Sequence, residues 1–357
     1  MSKTLPPELS ALFQSDEKPF LIEDLDLSGC DLVGVKLGGA TLRHLNFKES
    51  VLSGVDFKGA TIEHCDFSQA LLDDADFSGA HIEGSLFKRA ALTSALFITT
   101  QCVDNDFRGA NFSSAQCKEA IFDRCNLDQS TFMGASLEAA DFYHCWMAQT
   151  DFTQANLLRW TAQHSDLRTV IFRHTRLDQA YLVKSKLQGQ TFEQCSLVLT
   201  MFDESDLNGV DFQDLSLNQT QFTKATLVGA NFSGVTAEFV SFELSQLTQA
   251  RLAGARFDSC NFSGARCENV QAQESILTSC VLNQSICTSG NWSKSHFTYC
   301  DFSQADLSNS DFKQSNWITC DRHAVLEQGT LWDGAHENQV SGTDSALKGA
   351  QEWVTPV

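Results

Sequence analysis

The residues of this 357-residue chain best equipped for chemistry are its 13 cysteines, and their spacing is regular. Cys260, Cys280, Cys300 and Cys320 recur every twenty residues. As thiolates sharing one side of a structure they could form a soft-metal or redox ladder. The histidines come next. His44 and His64 are also twenty apart, with Asp24 a further twenty upstream, and His144 and His164 repeat the spacing. His and Asp are competent metal ligands, but nothing obvious completes a tetrahedral set around either pair. No CxxC, phosphate loop, dinucleotide fingerprint, nucleophile elbow or HExxH occurs. Carboxylate pairs abound among 45 acidic residues, yet a pair becomes an acid and a base only in a cleft that shifts its pKa. Whether these side chains point in or out depends on the elements that carry them.

Those elements follow a period of five. From Leu27 the walk Leu32, Leu37, Leu42, Phe47, Leu52, Phe57, Ile62, Phe67 continues without insertion or deletion to Phe312 and Trp317. Nearly all of the 27 Phe stand at this central position. The residue two before each centre is usually small, the residue just before is often Asp, Asn or Thr, and the residue two after is often Gly. Ala75-Asp76-Phe77-Ser78-Gly79 is typical. Neither a helical period nor strand alternation produces this pattern; a chain turning a corner every five residues does. All 13 cysteines fall on inward positions: Cys102, Cys117, Cys267 and Cys287 are centres, and the others stand two before one. They read as small buried hydrophobes with inert thiols.

A second period of twenty lies inside the first. Phe112, Phe132, Phe152, Phe172, Phe192, Phe212 and Phe232 form one column, which implies four sides per coil with like side chains stacked. Before about residue 110 the aromatic columns are those of Phe47 and Phe57; after it they are those of Phe112 and Phe122, so opposite walls trade volume. Undersized centres Ala162, Ala237 and Ala272 each follow an oversized inward neighbour, Trp160, Val235 and Val270.

These units resemble the pentapeptide-repeat family: small residue, Asp or Asn, Leu or Phe, polar residue, then often Gly. The resemblance covers residues 22–321. It implies an all-β fold, a right-handed quadrilateral parallel β-helix (solenoid) of about fifteen coils stacked at ~4.8 Å, a rod of roughly 70 Å. The open ends need caps. Residues 1–21 are expected to form the first, with Pro6 and Pro7 opening a short helix that carries Leu9, Leu12 and Phe13 on one face. Residues 322–357 are expected to form the second, with the apolar run Ala324-Val325-Leu326 and a helix over 345–354 turning Leu347 and Trp353 inward. In some family members this terminal segment pairs two rods, so a homodimer is one expectation.

Composition narrows the function classes. A net charge of −20 excludes general attraction to nucleic acid or an anionic membrane. No apolar stretch is long enough to span a bilayer, and Met1 to Phe20 lack the basic start and apolar run of a secretory signal. A cytoplasmic location, no cofactor and no catalysis are expected.

Two surface features stand out instead. The wall with centres Leu42, Ile62, Ile82, Phe122, Phe142 and Phe202, with its flanking corners, carries most of the net negative charge, concentrated in Glu23, Asp24, Asp26, Glu63, Asp66, Glu83, Asp104, Asp106 and Asp123. On the same side Ile121, Tyr143, Trp146, Tyr181, Val183, Val198, Leu199 and Met201 occupy outward positions, the composition of a protein-contact hot spot. The leading expectation is a non-catalytic scaffold for a protein partner. The resemblance adds two others. One is a DNA mimic acting on bacterial type II topoisomerase (gyrase), although the array lacks the projecting loops of such members. The other is an accessory role in bacterial type VI secretion, although no adaptor domain is present.

Overall fold

A computed structural model describes residues 21–351. They wind about 16 turns of all-parallel, four-sided β-solenoid, divided into two compact units: residues 21–185 with 192–196, and residues 186–191 with 197–351.

One repeat shows why the chain coils. In Ala75-Asp76-Phe77-Ser78-Gly79, Ala75 and Phe77 are fully buried. The Asp76 carboxylate accepts the Ser78 N–H at 2.9 Å, fixing the bend. Gly79 then takes φ 66°, and the Ala80 N–H closes the corner on the Phe77 carbonyl at 2.9 Å. The Asp76 N–H donates to Val55 O on the preceding turn, and the Phe77 N–H to Leu96 O on the next. The backbone is thus satisfied by its neighbours above and below. The same Asx bend recurs at Asp26, Asn46, Asp56, Asp66, Asn111, Asp151 and Asn291, which explains the Asp or Asn before so many centres. The corner residue is left-handed whether or not it is glycine: His44, Gln69, Thr99 and Phe239 have φ of 51°, 59°, 54° and 57°. For non-glycine residues this costs roughly 1–2 kcal/mol each.

In the first unit, one wall is a seven-stranded parallel sheet, β1 to β7, running from Leu21–Glu23 (β1) and Thr41–Arg43 (β2) to Ile121–Asp123 (β6) and Asp141–Tyr143 (β7). Register is an offset of twenty throughout, as in Leu42↔Ile62 and Phe122↔Phe142. The remaining walls are single parallel bridges with the same offset. In the second unit a six-stranded wall runs from Thr236–Glu238 (β8) and Arg256–Asp258 (β9) to Asn316–Ile318 (β12) and His336–Asn338 (β13).

The core is built from stacked columns. Phe57 and Phe77 stack at 4.6 Å with planes 1° apart, and Phe112 and Phe132 at 4.5 Å and 5°. Each buried Phe contributes roughly 1.5–3 kcal/mol by burial, and stacking adds about 0.5–1.5 kcal/mol. The exchange of columns near residue 110 is visible as a cluster: Phe107 lies 5.3 Å from Phe112 and 5.8 Å from Phe122, and Phe97 lies 5.4 Å from Phe112. Volume compensation also holds. Trp160 and Ala162 are both fully buried, with Trp160 wedged against Phe142, Phe152 and Phe172. The reverse occurs at Gly290, where a Cβ would come within 2.7 Å of the oversized centre Trp292.

The ladder does not stop at residue 321. His336–Asn338 pairs with Asn316–Ile318, and Asp321 bridges Ser341, so one further turn is formed. Ladder bonds need only backbone groups, which continue after apolar centres cease. Along that turn Arg322, Glu327 and Glu337 replace the apolar centres. Arg322 reaches Glu337 at 2.8 Å and Glu327 at 3.7 Å, and its guanidinium lies over Trp332 and Trp317. Ser345–Gln351 then forms helix α1, started by Asp344, which accepts the Ala346 and Leu347 N–H groups. Leu347, expected to turn inward, is instead 48% exposed, and Leu326 is exposed as well. The chain has already closed this end with charged centres, leaving no apolar layer for Leu347 to enter. The expected first-cap helix with Leu9, Leu12 and Phe13, and Trp353 at the other end, lie outside the described residues.

Candidate protein-contact surface

The outward positions of each wall are the residues immediately before and after the centre, and the sequence-selected apolar residues occupy them, except Leu199, which stands at a left-handed corner two after its centre. In the first unit, Ile121 and Tyr143 lie on β6 and β7. Tyr181 continues the Ile121 column through the bridges Asp141↔Thr161 and Thr161↔Tyr181. Val183 accepts the His164 N–H. Trp146 stands on the adjoining wall, bridged to Asn126 and 59% exposed, at an open cleft of about 280 Å³ lined also by Asp128, Met147, Asp166 and Arg168. Tyr181 is also exposed; Ile121, Tyr143 and Val183 are half-buried. Burial, then the neighbouring Asp141 carboxylate, push the Tyr143 phenol up from its ordinary pKa. Leu199 and Met201, both exposed, and the half-buried Val198 belong to the second unit.

The acidic residues lie in the first unit, and most are paired. Glu63 meets Arg43 at 2.7 Å, Asp104 meets Arg124 at 2.7 Å, and Asp123 meets Arg124 at 2.5 Å and His144 at 3.3 Å. Asp106 holds Arg108 at 2.6 Å and Lys88 at 3.3 Å. Glu83 lies 3.5 Å from His81. The Arg124 hydrogen bond holds the Asp104 carboxyl below its usual range. At Asp106 burial opposes the shift, but Arg108 and Lys88 outweigh it and the pKa is again lowered. Asp26 accepts Asn46 and the Ser28 N–H, and Asp66 the Ser68 N–H. Glu23 and Asp24 stand at the end of the strip, without a salt bridge among the described residues.

The groups that could have done chemistry are placed structurally. Cys260, Cys280, Cys300 and Cys320 each donate to the carbonyl of the centre one turn back: Ala237, Phe257, Leu277 and Phe297, all at 3.4–3.5 Å. Thr100, Thr150 and Ser295 make the same bond with hydroxyls. The cysteine is thus one of several small donors suited to this position. Burial pushes Cys65 and Cys125 up to about 12. His44 and His64 stack face to face at 5.4 Å with planes 8° apart, so their ring nitrogens lie side by side instead of converging. Among the described residues no group of three His, Cys, Asp or Glu could hold a metal, and no helix is long and apolar enough to cross a membrane.

Sequence reasoning missed the corner aromatics of the second unit. Phe239 and Tyr299 are 60% and 61% exposed, each at a left-handed corner two residues after its centre. Their signal was a large ring at a position otherwise held mostly by Gly or a polar residue.

Two family models match the chain. One, described as a pentapeptide repeat region, matches residues 22–97 and 165–252. The other, pentapeptide repeats (8 copies), matches 110–145, 132–173, 241–278 and 275–314. No curated protein matches. Among solved structures, full-length QnrB1, a plasmid-mediated fluoroquinolone resistance protein, is 17% identical over 77% of this chain and 89% of its own, with a TM-score of 0.20. HetL, involved in heterocyst differentiation regulation in the cyanobacterium Nostoc sp. strain PCC 7120, is 15% identical over 92% of both chains, with a TM-score of 0.15. Rfr23 from the cyanobacterium Cyanothece 51142 is 14% identical over 33% of this chain and 91% of its own, with a TM-score of 0.27.

Proposed function

Because the chain belongs to the pentapeptide-repeat family, we propose that it is a non-catalytic scaffold that binds a protein partner through the acidic, partly aromatic side of its first unit. The observation that carries this reading is Trp146, 59% exposed beside a cleft. It stands on the wall adjoining that of Tyr181, Tyr143, Ile121 and Val183. Aromatic anchors of this kind dominate contact energies when a partner covers them. Leu199 and Met201 are proposed as further contacts carried by the second unit. The flanking acids favour a partner with a basic rim, and such attraction weakens with salt.

A mimic of DNA acting on type II topoisomerase is the second reading, favoured by the net charge of −20. Ion pairing counts against it: Glu63, Asp104, Asp106 and Asp123 are already held by Arg or Lys. An array of bare charges resembling phosphates would leave them unpaired. The type VI secretion role and a homodimer through the C-terminal segment have no observation that favours them over the scaffold.

The test is affinity capture from native cytosol with wild type and a Trp146→Asp, Tyr181→Asp double variant. Partners recovered by wild type and lost by the variant support the contact side. Identical partner sets would refute it. Recovery of topoisomerase, together with inhibition of DNA supercoiling by the purified chain, would favour mimicry instead.

A further inference from the structure

Next to the acidic strip the first unit carries a notch of the opposite sign. An open cavity of about 520 Å³ is lined by Lys48, Lys88, Arg89 and Arg108 around a floor that includes Ser68 and Gln69. The repeat explains it. Residues 48, 68, 88 and 108 follow their centres by one position and so form a single outward column. Small Ser68 leaves a gap between the long side chains of Lys48 and Lys88.

The bases here are under-compensated. Elsewhere in this unit Arg43, Lys58, Arg124 and Arg159 each meet an acid within 3 Å. Arg89 makes no salt bridge among the described residues, and Lys48 has only a 4.0 Å contact with Glu49. Lys88 and Arg108 share the single carboxylate of Asp106. The one lining acid, Asp66, accepts the Ser68 N–H. Asp128, the next residue of the column, accepts the Ala148 N–H at 2.7 Å. The lining therefore holds four bases and one carboxylate, Asp66, with Asp106 paired to two of the bases from outside it.

We propose that this notch binds a phosphate monoester dianion. The excess of bases over carboxylates in the lining suits its negative charge, and a guanidinium fork with a nearby ammonium suits its three terminal oxygens. The hydroxyl of Ser68 and the amide of Gln69 supply neutral donors. The surrounding acids restrict the ligand to a single phosphate: a nucleic-acid backbone would lay further phosphates against Glu63, Glu83 and Asp104. The phosphate belongs either to a small molecule or to a phosphorylated side chain.

Calorimetric titration of the full chain with O-phospho-L-serine, and with a glycine-flanked phosphoserine peptide, tests this. Saturable binding of either is expected, weakening as salt rises. A Lys88→Gln, Arg89→Gln double variant should weaken it at least about tenfold, the loss of one to two charge-assisted contacts. Gln already occupies the equivalent left-handed corners at Gln69 and Gln129, so this variant should fold as wild type does. Arg173→Gln, in the same unit but outside the notch, should bind as wild type. Equal affinity for both probes identifies a small phosphate as sufficient; preference for the peptide identifies a phosphorylated side chain. No saturable binding of either probe, equal loss in the Arg173→Gln control, or tighter binding of a short DNA duplex would overturn the proposal.

Discussion

The guanidinium of Arg322 lies 4.8 Å from the ring centroid of Trp332 and 5.6 Å from that of Trp317, inside the square where every earlier turn places an apolar centre. Trp332 in turn stacks on Phe312 at 4.9 Å. The last layer is thus covered by a cation held between indoles and anchored to Glu337 at 2.8 Å. Charged centres take the place of an open apolar layer in the last turn among the described residues. Arg322→Ala should destabilise the second unit by about 1–2 kcal/mol, the size of a partly desolvated cation–π contact with its packing. Arg322→Leu should restore most stability but promote association, which sedimentation at rising concentration would detect. A variant that is both stable and monomeric would show that the charge has no role in ending the stack.

Volume exchange between Trp160 and Ala162 gives a second expectation. Both point into the same layer and both are fully buried. Trp160→Ala should cost about 3–5 kcal/mol through the cavity left against Phe142, Phe152 and Phe172. Ala162→Leu alone should cost about 1–3 kcal/mol by overpacking. Combined, they restore the usual small-then-large unit, so denaturation midpoints should show the double variant to be more stable than Trp160→Ala. Simple additivity would mean that the two side chains do not share one space.

Most of this architecture is legible in the chain because each inward position repeats at a fixed spacing. The centres from Leu27 to Trp317, the Phe columns and the Trp160–Ala162 exchange all follow from that spacing. The hydrogen-bonding logic is less visible. That the Asp76 carboxylate holds a bend, or that Cys260 replaces a Thr or Ser as donor to a carbonyl, needs atoms to be placed. Charge was the least legible. Summing acids along a strip places Asp104 and Asp106 on one side, but Arg124 and Arg108 fold back onto them from the same column and the same wall. The end of the ladder was hidden for a related reason: Arg322 and Glu337 break the apolar pattern while the backbone continues to pair.

Acid should loosen the fold through a small set of carboxylates. Asp76, Asp106 and Glu268 are partly buried, which opposes their shift, but hydrogen bonds and bases bring each pKa below its ordinary value: Ser78 and Lys58, Arg108 and Lys88, Arg266 and Thr248. A carboxyl depressed in the folded state stabilises the fold above its unfolded pKa. That stabilisation is lost as pH falls through the lower, folded value. Thermal midpoints should therefore be flat near neutrality and fall below about pH 4. Asp76→Asn keeps the oxygen that accepts the Ser78 N–H and removes only the charge, so it should flatten part of the acid limb. An unchanged limb would place acid sensitivity elsewhere.

The thiols give the converse case. Burial pushes Cys65 and Cys125 up to about 12 and Cys195 up to about 11. A raised folded pKa stabilises the fold below the unfolded value, and this is lost as pH rises through the folded one, so these groups favour the folded state at neutral pH and weaken it only in strong alkali. Thiolate, the reactive species, is therefore suppressed where disulfide-exchange reagents are normally used. At pH 8 the native chain should react slowly, and all 13 cysteines should react once denaturant opens the coils. Cys145 is the only half-buried member and should react first. Its thiol donates to the Phe122 carbonyl at 3.3 Å, a bond that Ser can also make, so Cys145→Ser should remove that first phase without loss of stability. Rapid native labelling of Cys260, Cys280, Cys300 or Cys320 would instead show that solvent reaches the column, and that its thiols do more than tie one turn to the next.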